Sequence, residues 1–156
     1  MRKTIGVAAC LLVFASAAMA QEKLETKWHC PKPAAAQKYD VGDEPDHAYA
    51  IMQGTCNATS STAGEKTGAY TEFQELWKAS YTNHGRFNVT LDNGDKMYYT
   101  YKGSGDPGKK AASNKWEIVK GTGKHKGAKG SGTCSGKLLD DGGSDWSCTG
   151  TVTAGK

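Results

Sequence analysis

Large aliphatic residues are scarce in this chain. Beyond residue 20, Leu, Ile, Val and Phe make up roughly a tenth of the positions, well below the range at which an aliphatic core fills a domain. A long apolar segment is also missing. The run from Ile5 to Phe14 stops short of the roughly 18 residues that cross a bilayer as a helix, so no membrane span is expected. There is no Cys-x-x-Cys pair, and His29, His47, His84 and His125 lie far apart, which leaves no zinc-type spacing and no metal or other cofactor to expect. Charge of one sign is not in excess either. With Arg2 and Lys3 set aside, Lys+Arg falls from 20 to 18 against 16 Asp+Glu, a net of 18 − 16 = +2, too little to indicate a nucleic-acid partner.

The first twenty residues have the anatomy of a secretory leader. Arg2 and Lys3 precede the apolar run, and Ala18-Met19-Ala20 offers a small-residue exit, so cleavage is expected after Ala20 and the mature protein in a secreted or periplasmic setting. Most of the apolar run follows Cys10, the wrong order for lipidation. The remaining 156 − 20 = 136 residues are the size of one domain. Cys30, Cys56, Cys134 and Cys148 are an even set in an exported chain, which reads as two disulfides among three connectivities. Trp28, Trp77, Trp116 and Trp146, with seven tyrosines, supply the bulk that aliphatics do not, each with a polar tip that needs a partner.

Residues 21–45 hold three prolines and few large apolar side chains, and read as an extended arm held at Cys30. "HAYAIMQGTCNAT" alternates as a strand with Tyr49, Ile51 and Gln53 on one face, and "SSTAGEKTG" follows as loop. In "TEFQELWKASYTNHG", Phe73, Leu76, Trp77 and Ser80 fit a helical face, Thr71 with Gln74 makes a capping box, and periodicity favours helix slightly. "RFNVTLDNGDKMYYTYKG" is a hairpin turning at Asp92-Asn93-Gly94. A three-residue loop with left-handed Gly94 sets Phe87 opposite Tyr99 and Val89 opposite Met97, gathering the apolar residues on one face. "KWEIVKG" is a short strand carrying Trp116 and Ile118. A last hairpin turns around Asp141, with Cys134 and Cys148 symmetric about the turn, so these two face one another and Cys30 is left for Cys56.

"GTGKHKGAKGSGT", residues 121–133, suggests a phosphate grip but lacks the Gly-x-x-x-x-Gly-Lys-Ser/Thr pattern. The nearest match, "GSGDPGKK" at 103–110, puts Lys110 where the hydroxyl must be, and with Pro107 it opens no helix for a dinucleotide. The glycines read as tight turns and close backbone approach in a curved sheet. Lys120, Lys124, Lys126 and Lys129 read as a solvated turn that discourages edge pairing, with a surface-interaction module built on loop 120–129 as the alternative. Asp140, Asp141 and Asp145, and Glu72, Glu75 and His84, have no diagnostic catalytic spacing. Asn57-Ala58-Thr59 and Asn88-Val89-Thr90 are glycosylation sequons in a host that modifies its exports.

"KWEIVKGTGKHKGAKGSGTCSGK", followed by "DGGSDWSCTGTV", resembles the C-terminal part of the allene oxide cyclase-like and dirigent-like barrel proteins, and is similar to the small exported bacterial barrels of that superfamily, of unassigned activity. The strong similarity covers residues 115–152, and the upstream hairpin fits more loosely. The resemblance implies an all-β fold, an antiparallel eight-stranded barrel, and moves the stretch 71–81 from helix to strand. The expected organisation is then a leader at 1–20, an extended N-terminal arm at 21–45 and a β-barrel domain at 46–156. The cyclases' active-site residues find no positional match here. The expected function is binding of a small apolar or amphipathic ligand by Phe87, Val89, Met97, Tyr99, Tyr101 and Trp116; the alternatives are an isomerase or cyclase-type enzyme and the lysine-loop module.

Overall fold

The computed structural model describes residues 21–155, so the expected leader, Cys10 and the expected cleavage after Ala20 lie outside the described residues. Nine strands follow one another: β1 (Gln21–Cys30), β2 (Ala35–Asp40), β3 (Ala48–Ser61), β4 (Glu65–Leu76), β5 (Tyr81–Leu91), β6 (Lys96–Asp106), β7 (Ala111–Gly121), β8 (Lys129–Leu138) and β9 (Ser144–Thr153). Each of β3 to β9 pairs antiparallel with the next, β9 pairs with β1, and β1 pairs back onto β3, which closes an eight-stranded antiparallel barrel. This is the architecture implied by the resemblance, with β2 as one extra strand outside the ring.

β3 is long enough to serve two neighbours along one edge. Its first part, from Ala48 to Gln53, pairs with β2, and Asn57 to Ser61 pair with β1. Pro31 and Pro33 stand between those two strands, where a residue without a backbone N–H interrupts ladder pairing. The stretch 21–45 thus supplies a stave of the barrel as well as an outer strand.

The segment Thr71–Tyr81 is strand up to Leu76, a turn over Trp77–Ser80, and then the start of β5; no helix forms. Segment 60–68 holds only a three-residue connection, and β4 is already under way at Glu65. Tertiary pairing overrides the helical spacing because the inward face is not the aromatic one. Phe73 is half-exposed outside the barrel while Glu72 is buried inside it. The Asp92–Gly94 hairpin has the register read from its apolar pattern, Phe87 opposite Tyr99 and Val89 opposite Met97, with Gly94 at φ +84°.

Disulfides join Cys30 to Cys56 and Cys134 to Cys148. The first lies just past the β1–β3 seam, where only four positions pair, and so reinforces the closure of the ring. The second crosses directly opposed positions of β8 and β9. Leu24, Val89, Leu91, Met97 and Ile118 are buried together at one end of the barrel, the end where β5 turns into β6 and β7 leads to β8. Loop 120–129 therefore sits at this closed end, its Gly123–His125 stretch forming a single 3-10 turn, with Lys124, Lys126 and Lys129 exposed.

Candidate ligand site inside the barrel

Inward-facing positions form rows across the strands. One row runs Glu72, Gly85, Tyr101, Trp116, Gly132, Gly150, from β4 to β9. The next row toward the open end runs Gln74, Asn83, Gly103, Asn114, Cys134, Cys148. Glycine and aromatic residues complement one another in these rows. A Cβ on Gly132 or Gly150 would fall 2.4 or 2.3 Å from the Trp116 ring, so the bare backbone of β8 and β9 is what lets this indole lie across the barrel wall. The glycines and the tryptophans thus replace the missing aliphatics as one packing device.

A cavity of about 180 Å³ occupies the barrel above the closed end. Its walls include Trp28, Tyr70, Phe87, Tyr101, Trp116 and Trp146, and its rim includes Pro31, Pro33 and Gly142. Of the residues expected to bind ligand, Phe87, Tyr99, Tyr101 and Trp116 line this space. Val89 and Met97 do not border it; both are 1% exposed and packed in the closed-end core. Tyr99 meets Trp116 edge to face with centroids 5.5 Å apart, and Trp28 meets Phe87 likewise at 4.9 Å, the geometry that aromatic quadrupoles favour.

Two carboxyl groups also reach the cavity, and sequence reasoning did not single out either as inward. Glu65 accepts hydrogen bonds from the Thr26 hydroxyl and, at 2.6 Å, from the Tyr99 hydroxyl. Burial pushes its pKa above the ordinary carboxyl value even against those two bonds. Glu72 accepts from the Gln74 amide, from Tyr101 at 2.8 Å and from Asn83 at 3.0 Å. Burial and the neighbouring carboxylates raise the tyrosines: Tyr70 and Tyr81 are pushed up to about 12 by burial and then by Glu72, and Tyr99 and Tyr101 are also shifted upward, by burial first and then by Glu65 and Glu72. All four are neutral hydroxyls at neutral pH.

A ladder irregularity at Lys66, between Glu65 and Thr67, explains how two carboxyls an odd number of residues apart share one face. A bulge inserts an extra residue and resets the alternation. The alternation of Glu72, Gln74 and Leu76 against Phe73, Glu75 and Trp77 was the available signal for Glu72, but its meaning depends on which face is inside.

Three buried polar atoms on the cavity walls have no partner: Trp116 Nε1, Asn83 Oδ1 and Asn114 Oδ1. Because the Asn83 amide donates to Glu72, its carbonyl oxygen is the atom left free. Buried polar groups are paired in the great majority of cases, and these three are covered by the protein itself. No group of His, Cys, Asp and Glu among the described residues is arranged to hold a metal ion.

No family model matches the chain, and no curated protein matches it either. Solved structures do. The pterocarpan synthase dirigent protein PsPTS1 superposes with a TM-score of 0.53 at 11% identity, covering 88% of this chain and 97% of that one. The pterocarpan synthase dirigent protein GePTS1 superposes with a TM-score of 0.54 at 12% identity, covering 99% of this chain and 100% of that one. At such identity the likeness is one of fold, and the chain shares the β-barrel fold of these dirigent proteins.

Proposed function

We propose that this is an exported binding protein that holds a small amphipathic molecule in the open end of its barrel. The observation that carries the reading is one cavity of about 180 Å³ inside the barrel, walled by Trp28, Tyr70, Phe87, Tyr101, Trp116 and Trp146 with the carboxyl groups of Glu65 and Glu72 among them. A ligand there buries its apolar body against the rings while carboxyl and tyrosine hydroxyl groups meet its polar end, the mixture that small-molecule sites present. Phe87, Tyr99, Tyr101 and Trp116 are the walls of the proposed site, and Val89 with Met97 is the packed layer beneath. Two disulfides and the leader-like first twenty residues support export.

Native mass spectrometry of the protein isolated from its own host tests the binding reading, with a retained small-molecule adduct expected on a chain beginning at Gln21. A chain at its bare mature mass that also gains no adduct from an aromatic alcohol would overturn it. A start at Met1 would overturn export.

A second reading, an isomerase or cyclase, has one specific observation in its favour. Glu65 is a buried carboxyl group with a raised pKa on the wall of the same cavity, the character a general acid needs, and the solved dirigent proteins that share the fold are named as pterocarpan synthases. Turnover that Glu65→Gln abolishes while binding persists would establish it.

A further inference from the structure

The polar groups of the cavity are lopsided. Glu72 contributes a carboxyl group held only by neutral donors, Gln74, Asn83 and Tyr101, beside the hydroxyls of Tyr70 and Tyr81 and the Asn114 amide. Glu65, also on the wall, accepts as well. No Lys, Arg or His is among the residues that line the space, and the lysine-rich connection stands at the closed end.

Three ligand chemistries can be weighed against that inventory. An anionic head group would bring like charge beside Glu72 in a poorly hydrated space, where repulsion is strong. A neutral alcohol offers one donor and no charge to set against Glu72. An ammonium group offers up to three donors and a positive charge, and its surroundings are the electron-rich rings of Trp28, Tyr70, Phe87, Tyr101, Trp116 and Trp146, a lining that attracts organic cations.

We infer that the cavity selects a small organic ammonium ion, with its apolar body among the rings and its nitrogen donating toward Glu72. This inference rests on the cavity-binding reading and names its ligand class. The volume suits it: a cavity of about 150 Å³ holds a benzene-sized molecule, and the space here is about 180 Å³.

The test compares three probes that share one body and differ only in the head group, 3-phenylpropylammonium, 3-phenylpropan-1-ol and 3-phenylpropionate, titrated calorimetrically into the oxidised protein at neutral pH. The ammonium probe is expected to bind at least tenfold tighter than the alcohol, with the carboxylate weakest. In Glu72→Gln that preference should shrink to within about threefold, with a melting curve taken to confirm folding. The comparison in the unaltered protein stands even if the variant fails to fold. An alcohol that binds as tightly as the ammonium ion would overturn the charge selectivity and leave cavity binding intact. No measurable binding of any of the three would overturn both.

Discussion

Glu65 is a carboxyl group in a place water scarcely reaches, and its consequences belong to the residue scale. Its pKa in the folded chain is above the unfolded value, so the native state holds the proton more tightly than the unfolded state does. Its contribution to stability is therefore greatest below the unfolded pKa, about 4.3, and is lost as pH rises from there through the folded pKa. In Glu65→Gln this decline should be absent. The unfolding free energies of variant and wild type, measured in urea, should diverge by about 1.4 kcal/mol for each pH unit between the two pKa values. Curves that run parallel from about pH 4 to 8 would contradict the assignment. Neither this carboxyl nor Glu72 was legible as inward from the sequence, because a bulge at Lys66 resets the alternation and because the aromatics Phe73 and Trp77 lie on the outer surface. Phe87, Tyr99, Tyr101 and Trp116 were legible, since in their strands the apolar face is also the inner one.

At the scale of elements, hairpins with strong turn residues were readable and the seam was not. Gly94 fixes the β5–β6 turn, and the apolar pattern on either side leaves one sensible register. The β8–β9 pairing follows from two cysteines symmetric about a turn. β4 is different: its helical spacing is accidental, and pairing with β3 and β5 along its whole length decides its state. The disulfides tie elements that are otherwise thinly joined or Gly-rich. Each closes a loop worth about 3 kcal/mol in the chain-entropy description, so reduction should lower the melting temperature by about 10 °C or more. An unchanged melting temperature would show that the aromatic–glycine packing suffices without them.

The lysine-rich connection belongs to the same scale. It is a built turn, with the Lys124 amide donating to Asp95 and Lys120 standing 5.9 Å from the centre of the Tyr98 ring. Replacing exposed Lys124, Lys126 and Lys129 together with Gln should change stability by no more than about 0.5 kcal/mol. Salt-sensitive heparin binding that this triple variant loses would instead make the loop an interaction surface.

At the scale of the whole molecule, eight strands give a barrel near the width at which side chains either fill the interior or leave room for one small ligand. Here both outcomes occur in one barrel. Aliphatic side chains fill the closed end, while rings laid over glycines leave about 180 Å³ toward the mouth. The eight-stranded ring was legible only through the C-terminal motif, since closure by β1 onto β3 joins residues distant in sequence through a four-position seam. The cavity's location was partly legible, in the aromatic face of one hairpin, and its polar chemistry was not.

The four indoles make the most direct test, because three of them, Trp28, Trp116 and Trp146, line the cavity and Trp77 does not. In a nitrogen-15 NMR titration with 3-phenylpropan-1-ol, the indole N–H resonances of Trp28, Trp116 and Trp146 should shift as the probe's ring packs beside theirs, while that of Trp77 stays in place. Indole resonances that all remain stationary at millimolar probe, or a shift confined to Trp77, would contradict a ligand site inside the barrel.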